Sequence, residues 1–173
     1  MLDPIQELMD EHRIIEKVLT ALTAAADQEV PLEFYERAVD FIANFADKCH
    51  HSKEEERLFP VLEEKGIPRE AGPIGCMCEE HEIGRGHVQS MRELLKAGDL
   101  AGLRRESLNY VGLLSSHIQK EDKVLFPMGR NVLSRGELEQ LRAKFDEVED
   151  PGQCHHYYSN LAEELLAQVG LPV

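Results

Sequence analysis

The stretch that decides the fold runs from His50 to Pro60 and reads His-His-Ser-Lys-Glu-Glu-Glu-Arg-Leu-Phe-Pro. A second copy runs from His117 to Pro127 and reads His-Ile-Gln-Lys-Glu-Asp-Lys-Val-Leu-Phe-Pro. Both copies fit the frame H-x-x-x-E-x-x-x-L-F-P without a gap. Because positions i and i+4 lie on the same face of a helix, each copy presents one imidazole beside one carboxylate. Two such faces turned toward each other would place two histidines and two glutamates around one point.

The two copies belong to a larger repeat. The first predicted helix starts at Asp3-Pro4, ends near Ala26 and carries a stripe spaced by three and four residues, formed by Ile5, Leu8, His12, Ile15, Leu19 and Leu22. Adding 69 to each position gives the stripe of the third predicted helix, formed by Ile74, Met77, His81, Gly84, Val88 and Met91. Such a spacing is typical of the buried seam of a helical bundle.

The second and fourth predicted helices carry the two copies of the frame. The second helix opens at Pro31 and stops by Lys65-Gly66, while the fourth is capped by Asp99 and reaches about Asn131. The first ~130 residues are therefore two copies of one helical hairpin. Short connections favour antiparallel neighbours, so the sequence predicts an all-α, up-down-up-down, antiparallel four-helix bundle.

Two additional short helices are predicted after the bundle. Ser134 and Glu137 form a capping box that starts the first of them, and Asp150-Pro-Gly152 breaks it before the last helix begins. We expect residues 1–133 to form the bundle and residues 134–173 to form a C-terminal extension packed on it, within one domain.

The repeat collects six candidate metal ligands: His12, His50, Glu54, His81, His117 and Glu121. A single buried histidine is usually a satisfied core residue. Four seam histidines with two glutamates are costly to bury unless something binds them. This donor set suits two iron ions, with manganese or zinc as possible substitutes, and two inward carboxylates could bridge them. The repeat predicts an even partition, with two histidines for each metal.

Five further residues are weaker ligand candidates: His51, Glu55, Asp122, His155 and His156. The repeat partner of His51 is Ile118, so the symmetry does not require a ligand there. Asp122 could replace Glu121 if the helix were locally rotated. One histidine of the last helix could supply a seventh ligand or accept a hydrogen bond from a ligand.

The composition narrows the class of protein. A net charge of −14 argues against nucleic acid or an anionic membrane as a partner. No apolar run approaches membrane-spanning length and the N-terminus has no signal-peptide core, so we expect a cytoplasmic protein. The four cysteines are expected to be reduced thiols, because they lack the spacing of a zinc finger.

The chain resembles hemerythrin-like (HHE cation-binding) domain proteins over roughly residues 5–130. The motifs that carry the resemblance are Asp10-Glu-His12, Glu79-Glu-His81-Glu-x-Gly84-Arg85 and the two H-x-x-x-E copies with their Leu-Phe-Pro endings. The resemblance implies a four-helix bundle around a non-haem di-iron centre. Oxygen-carrying hemerythrins have a second histidine four residues after the third-helix histidine, where this chain has Arg85. They also use H-x-x-x-x-D on the last helix, which His117 and Asp122 would permit.

Three functions stay open at this point. Four histidines and two glutamates look more like the iron-centre-repair and nitric-oxide-responsive branch than like the oxygen carriers. The first hypothesis is therefore a di-iron protein that binds or senses O₂, NO or iron. The alternative is a di-iron enzyme that acts as a peroxidase, NO reductase or oxidase, with peroxide as a possible small-molecule partner. A third is a bundle that binds zinc or manganese structurally.

Overall fold

The computed structural model describes residues 3–147 and 153–173, and within these ranges it contains helices and turns but no β-strand. The predicted all-α architecture, an antiparallel four-helix bundle with two more helices at the C-terminal end, is confirmed. The break predicted at Asp150–Gly152 lies outside the described residues. The segments in chain order are α1 (Pro4–Ala25), α2 (Leu32–Phe41), a first π segment (Ile42–His51), a second π segment (Glu54–Leu58), α3 (Phe59–Glu64), α4 (Pro73–Ala97), α5 (Leu100–Lys120), a third π segment (Glu121–Leu125), α6 (Phe126–Val132), α7 (Arg135–Asp146) and α8 (Gln153–Gln168).

The helix ends follow the predicted caps. The side chains of Asp3, Asp99 and Ser134 each accept a hydrogen bond from a backbone N–H in the first turn of the helix that follows, and Ser134 completes a capping box. Gly66 and Gly98 end the second and third long helices with φ of +89° and +67°, a left-handed conformation that glycine adopts without steric cost. The hairpin boundaries are therefore local properties of the sequence.

The second and fourth long helices are not regular. In each of them the candidate ligand glutamate, Glu54 or Glu121, begins a short π segment, and the proline of Leu-Phe-Pro lies in the first turn of the α-helix that follows. Widened π turns are rare and are concentrated at functional sites. The first π segment has no counterpart in the second hairpin, where α5 stays α-helical to Lys120.

Two apolar clusters fill the bundle, and the histidines lie between them. Along α1, Ile5 and Leu8 belong to one cluster and Ile15 to the other, with His12 in the gap. Helix α7 contributes to the first of these clusters and α8 to the second. The polar side chains thus form a layer with one apolar cluster on each side of it along the bundle. None of the described helices is long and apolar enough to span a membrane.

The Leu-Phe-Pro leucine is expected to stabilise the bundle through burial alone. Leu125 is 1% exposed, whereas its neighbour Val124 is 49% exposed. Leu125→Ala should lower the free energy of unfolding by about 2–5 kcal/mol, because it opens a cavity in the core. Val124→Ala is the matched control and should change it by less than about 0.5 kcal/mol. Urea denaturation measures both variants, and equal effects would contradict the burial seen here.

Candidate metal centre

All six strong candidates meet in the polar layer, together with His51. None of the seven side chains is more than 5% exposed. They form two groups that share Glu54, and within each group one potential ligand atom per residue lies within 4.8 Å of the others. We call them the two-histidine group, with His12, His50, Glu54 and Glu121, and the three-histidine group, with His51, His81, His117 and Glu54.

The two glutamates face both groups. Glu54 Oε1 lies 3.4 Å from His50 Nε2, and its Oε2 lies 3.4 Å from His81 Nε2. Glu121 Oε2 lies 3.3 Å from His12 Nε2 and 3.1 Å from His117 Nε2. Each carboxylate therefore lies where it could bridge two cations, as glutamates do in di-iron bundles.

Six of the inner atoms of the site lack hydrogen-bond partners, whereas His81 Nε2 and His117 Nε2 lie 3.0 Å apart and hydrogen-bond to each other. Six buried atoms make no hydrogen bond: His12 Nε2, His50 Nε2, both carboxylate oxygens of Glu54 and both of Glu121. An unpaired buried polar group costs roughly 1–3 kcal/mol, and a charged one costs more. Bound cations would give all six atoms a partner at once, so the residues present fit a metal centre.

The first π segment explains why His51 joins the site. Adjacent residues of a regular α-helix point about 100° apart, so one of His50 and His51 would leave the core. Here both are buried, and the His51 ring stacks on that of His81 with centroids 3.9 Å apart. The result differs from the even partition that the repeat predicts. The position where oxygen carriers have another third-helix histidine is Arg85, and the extra imidazole comes from the second helix instead.

Each of the five imidazoles has a carboxylate at its Nδ1. We call the five acidic residues that supply these carboxylates the outer carboxylates. The distances are 2.7 Å for His12–Asp122, 2.8 Å for His50–Glu11, 2.6 Å for His81–Glu55, 2.9 Å for His117–Glu80 and 3.4 Å for His51–Asp47. Such contacts fix the ring orientation and direct Nε2 toward a metal. The weaker candidates Glu55 and Asp122 thus lie behind histidines and not between the two groups.

A third layer of cations surrounds the outer carboxylates. These outer cations form the pairs Arg13–Asp122, Lys53–Glu11, Arg85–Glu55 and Lys120–Glu80. Arg85 also donates to Asp47 at 2.9 Å, so one guanidinium holds the carboxylates behind His51 and His81. Sequence reasoning missed this layer. Its signal was present, because a lysine follows the histidine by three residues in both copies of the frame.

The two lysines have different surroundings. The Lys53 side chain is 0% exposed, and its Nζ lies 2.6 Å from Glu11 and 2.9 Å from Glu7. Its repeat partner Lys120 is 38% exposed. The pseudo-symmetry of the ligands therefore does not extend to the solvent exposure of the residues around them.

The negative charge of the neighbouring glutamates raises the pKa of the His50 and His117 imidazoles. Burial acts to lower the pKa of His50, but the carboxylates of Glu54 and Glu11 outweigh it and raise the pKa to about 10. His117 follows the same pattern, with Glu121 raising its pKa to about 9 against the effect of burial. His51 is the exception, because burial and the neighbouring His81 push its pKa well below its ordinary value. In the metal-free protein, protons on His50 and His117 therefore supply positive charge beside the buried glutamates.

The outer carboxylate Glu11 shows the matching shift. Burial raises its pKa, but the hydrogen bond and charge of His50, together with Lys53, lower it to about 2. Glu11 is thus ionised throughout the physiological range and provides a fixed negative charge behind His50.

The Leu-Phe-Pro phenylalanines pack against the seam histidines. Phe126 stacks on His12 with centroids 5.4 Å apart and an interplanar angle of 11°, and Phe59 lies against His81 at 6.2 Å and 13°. Each frame therefore supplies a His–Glu pair and also an aromatic support for a histidine of another helix.

The last two weaker candidates lie at the edge of the site. His155 is 40% exposed, and its Nε2 lies 4.0 Å from Glu11 Oε1. His156 is exposed and contacts Asn160. Neither belongs to a ligand group. Among the cysteines, Cys76 and Cys78 are free thiols, Cys49 is buried, and the side chain of Cys154 lies outside the described part of the chain.

Comparison with known proteins gives one family match. Residues 3–129 match the family model described as Hemerythrin HHE cation binding domain. Uncharacterised proteins of Mycobacterium bovis and Mycobacterium tuberculosis are 25% identical over 157 residues, which cover 83% of this chain. The chain spans about 60% of the length of these curated relatives. No solved structure matches the chain.

Metal uptake is expected to release protons. The His50 pKa of about 10 and the His117 pKa of about 9 exceed the ordinary 6.5, so both rings carry protons in the folded metal-free protein at pH 7.5. Ligation needs neutral rings, so loading at pH 7.5 should release about two protons per chain from these residues. Calorimetry in two buffers of different ionisation enthalpy measures the number.

The same shifts fix the direction of the pH dependence. A raised pKa stabilises the metal-free fold fully below pH 6.5, and this contribution is lost as the pH rises toward 10. Proton release should therefore shrink as the loading pH approaches 10, which serves as the internal control, and acid should displace the metal. Loading without proton release at pH 7.5 would show that these histidines are not ligands.

The buried lysine is expected to matter more than its exposed repeat partner. Lys53→Met leaves Glu7 and Glu11 buried without this cation, so the unfolding free energy of the metal-loaded protein should fall by about 3–5 kcal/mol. Lys120→Met is the matched control and should cost at most about 1 kcal/mol, because Lys120 is partly exposed. Chemical denaturation of both variants tests this, and similar losses would refute the asymmetry.

Proposed function

This chain belongs to the hemerythrin HHE cation-binding domain family, as its sequence motifs predicted, and we propose that it holds two iron ions in a carboxylate-bridged centre. The observation that carries the proposal is the set of six buried ligand atoms without hydrogen-bond partners. A mixed set of imidazoles and carboxylates suits iron, and manganese or zinc are possible substitutes. Structural zinc sites are closed and four-coordinate, whereas here two groups share a carboxylate.

In this proposal each metal has its own histidines. His12 and His50 hold one ion, while His51, His81 and His117 hold the other. Glu54 and Glu121, whose carboxylates lie close to histidines of both groups, would contribute a ligand to each ion. The two-histidine group supplies fewer nitrogens, which leaves positions for water or a small molecule.

We propose that the centre binds or senses a small molecule, O₂ or NO, or responds to iron itself. Bound iron supplies reversible binding of such molecules and a change of oxidation state. The chain supplies everything else: the outer carboxylates orient the imidazoles, the outer cations compensate their charge, and the apolar clusters restrict water. These are the properties expected of a site that holds its ligand set in place whether or not a small molecule is bound.

The alternative is a di-iron enzyme of peroxidase, NO reductase or oxidase type. One observation favours it, since a cavity of about 120 Å³ adjoins the three-histidine group. This is far more than the ~10–15 Å³ that one water molecule requires. Turnover of peroxide or NO by the iron-loaded protein would distinguish the enzyme from a sensor.

Shared carboxylates predict that one substitution disrupts both metals. After anaerobic iron loading, the wild-type protein should contain two irons per chain, show oxo-bridged ferric absorption bands in air and melt above the metal-free protein. Glu54→Ala and Glu121→Ala should each lose both irons, because each removes a bridge. Glu56→Ala, which removes an exposed carboxylate of the same segment, is the matched control and should retain two.

Three results would count against the proposal. One metal or none in the wild-type protein would exclude a di-iron centre. Loss of a single iron in the Glu54 or Glu121 variant would mean that the carboxylate is a terminal ligand. A colourless protein with stoichiometric zinc would favour a structural site. Elemental analysis and absorption spectroscopy separate these cases.

A further inference from the structure

His51 is anchored differently from the other four imidazoles of the site. Each of those four rings contacts a carboxylate on a different long helix of the bundle, at 2.6–2.9 Å. The carboxylate behind His51 belongs to Asp47, which lies four residues earlier in the same π segment, and the distance between Nδ1 and Oδ1 is 3.4 Å. This local contact does not attach His51 to a neighbouring helix.

The guanidinium of Arg85 supplies the link between helices. Arg85 lies on α4, four residues after His81, and its Nε donates to Asp47 Oδ1 at 2.9 Å, the same oxygen that contacts His51. Its Nη2 donates to Glu55 Oε1 at 2.9 Å, and that oxygen lies 2.6 Å from His81 Nδ1. One side chain therefore joins α4 to the first and second π segments.

An arginine is well suited to this position. A guanidinium presents its N–H donors in a planar, rigid fork, so it can hold two carboxylates at a fixed angle, whereas a lysine is a flexible point charge. A third contact, from Nη1 to Glu82, fixes the group against its own helix. The Arg85 side chain is 32% exposed, so it holds the carboxylates from the rim of the site.

The two carboxylates that Arg85 holds stand behind two stacked rings. The imidazoles of His51 and His81 have centroids 3.9 Å apart and an interplanar angle of 17°, and both belong to the three-histidine group. Holding each ring at its Nδ1 leaves the Nε2 of each available to a cation. The arginine thus acts on two neighbouring candidate ligands of the same ion.

The pseudo-symmetric interface between α1 and α5 lacks this arrangement. The positions that match the acid and the histidine of the first π segment hold Leu114 and Ile118, which are both buried. The position on α1 that matches Arg85 holds an acid, Glu16. The acid, the histidine and the arginine are therefore present together at one interface and absent together from the other, as expected of residues that act as a unit.

We propose that Arg85 is a positioning residue that delivers His51 to the ion of the three-histidine group as the fifth imidazole of the centre. It does so by fixing Asp47, and with it the first π segment, against α4. The inference rests on the proposed function and deepens it, because it names the residue that makes the two ligand groups unequal.

A double-mutant cycle tests whether Arg85 acts through His51. The apparent Kd of the more weakly held iron is measured by competition with a ferrous chelator. His51→Ala and Arg85→Leu should each raise this Kd about 10–100-fold, the range found when residues that orient metal ligands are lost. The contact between Glu55 and His81 remains in all these variants. The double variant should therefore lie within about two-fold of His51→Ala alone.

Arg13→Leu is the matched control for the cycle. Arg13 also pairs with one of the outer carboxylates, Asp122, but that carboxylate stands behind His12 in the two-histidine group. Because this pair shares no contact with His51, the effects of Arg13→Leu and His51→Ala on the Kd should multiply. The control thus shows how two independent substitutions behave in the same measurement.

Chemical modification provides a second readout that needs no metal. In the metal-free wild type, His51 is 5% exposed and should react slowly with diethyl pyrocarbonate, as mapped by mass spectrometry. Arg85→Leu should raise its rate about 10-fold, because local opening of the first π segment exposes the ring. Asp47→Ala should do the same, which keeps the test informative if Arg85→Leu fails to fold. His156 is exposed and serves as the internal reference.

The outcomes separate the two proposals. If the effects of Arg85→Leu and His51→Ala multiply, Arg85 does not act through His51, and the positioning role is overturned while the di-iron proposal stands. An unchanged modification rate of His51 in folded Arg85→Leu and Asp47→Ala proteins leads to the same conclusion. A wild-type protein that takes up one iron or none overturns the proposed function and this inference with it.

Discussion

Two glutamates buried in the middle of a helical bundle set the conditions that the surrounding structure must meet. Glu54 and Glu121 are 0% exposed, and a carboxylate without compensation is very costly in such a place. The chain compensates them in alternating layers. Imidazoles surround the glutamates, outer carboxylates stand behind the imidazoles, and lysines and arginines stand behind those. A buried charge is tolerated when it is paired and hydrogen-bonded, and each layer supplies partners for the one inside it.

The helical hairpin repeat makes this layering possible with few residues. Glu11 precedes His12 in the sequence but serves His50, and Glu80 precedes His81 but serves His117. In the same way, Glu55 and Asp122, which follow Glu54 and Glu121, each serve a histidine of the other hairpin. Each helix therefore orients the ligands of its neighbour, and the geometry of the site depends on the assembled bundle.

Much of this could be read from the sequence, since it follows from local rules. The 3-4 stripe of α1, the cap at Asp99 and the glycine stop at Gly66 depend on neighbouring residues alone, and the structure confirms all three. The π segments could not be predicted in this way, because periodicity arguments assume regular α-helical turns. His51 is a weak candidate in the sequence because its repeat partner is Ile118, and periodicity does not predict the π segment that contains it.

The outer cations could not be predicted from the sequence for another reason. Lys53 and Arg85 resemble ordinary surface charges in a sequence that is 30% charged. Their importance comes from which carboxylate they contact across the bundle, and that depends on tertiary packing. The repeat held a partial signal, because Lys53 and Lys120 occupy the same position of the frame. The burial of one and the exposure of the other depend on what packs over them.

The charged residues around the site make contacts with the C-terminal helices, which lie beyond the residues that match the family model. That match ends at residue 129, yet Arg142 of α7 pairs with Glu7, and the ring of Phe145 lies 5.7 Å from Lys53 Nζ. Helix α8 adds Glu163, which pairs with Lys17 of α1. A chain truncated at the matched boundary would keep all six strong candidate ligands but would let water reach Lys53 and Glu11. The family match therefore ends before the residues that shield the site from water.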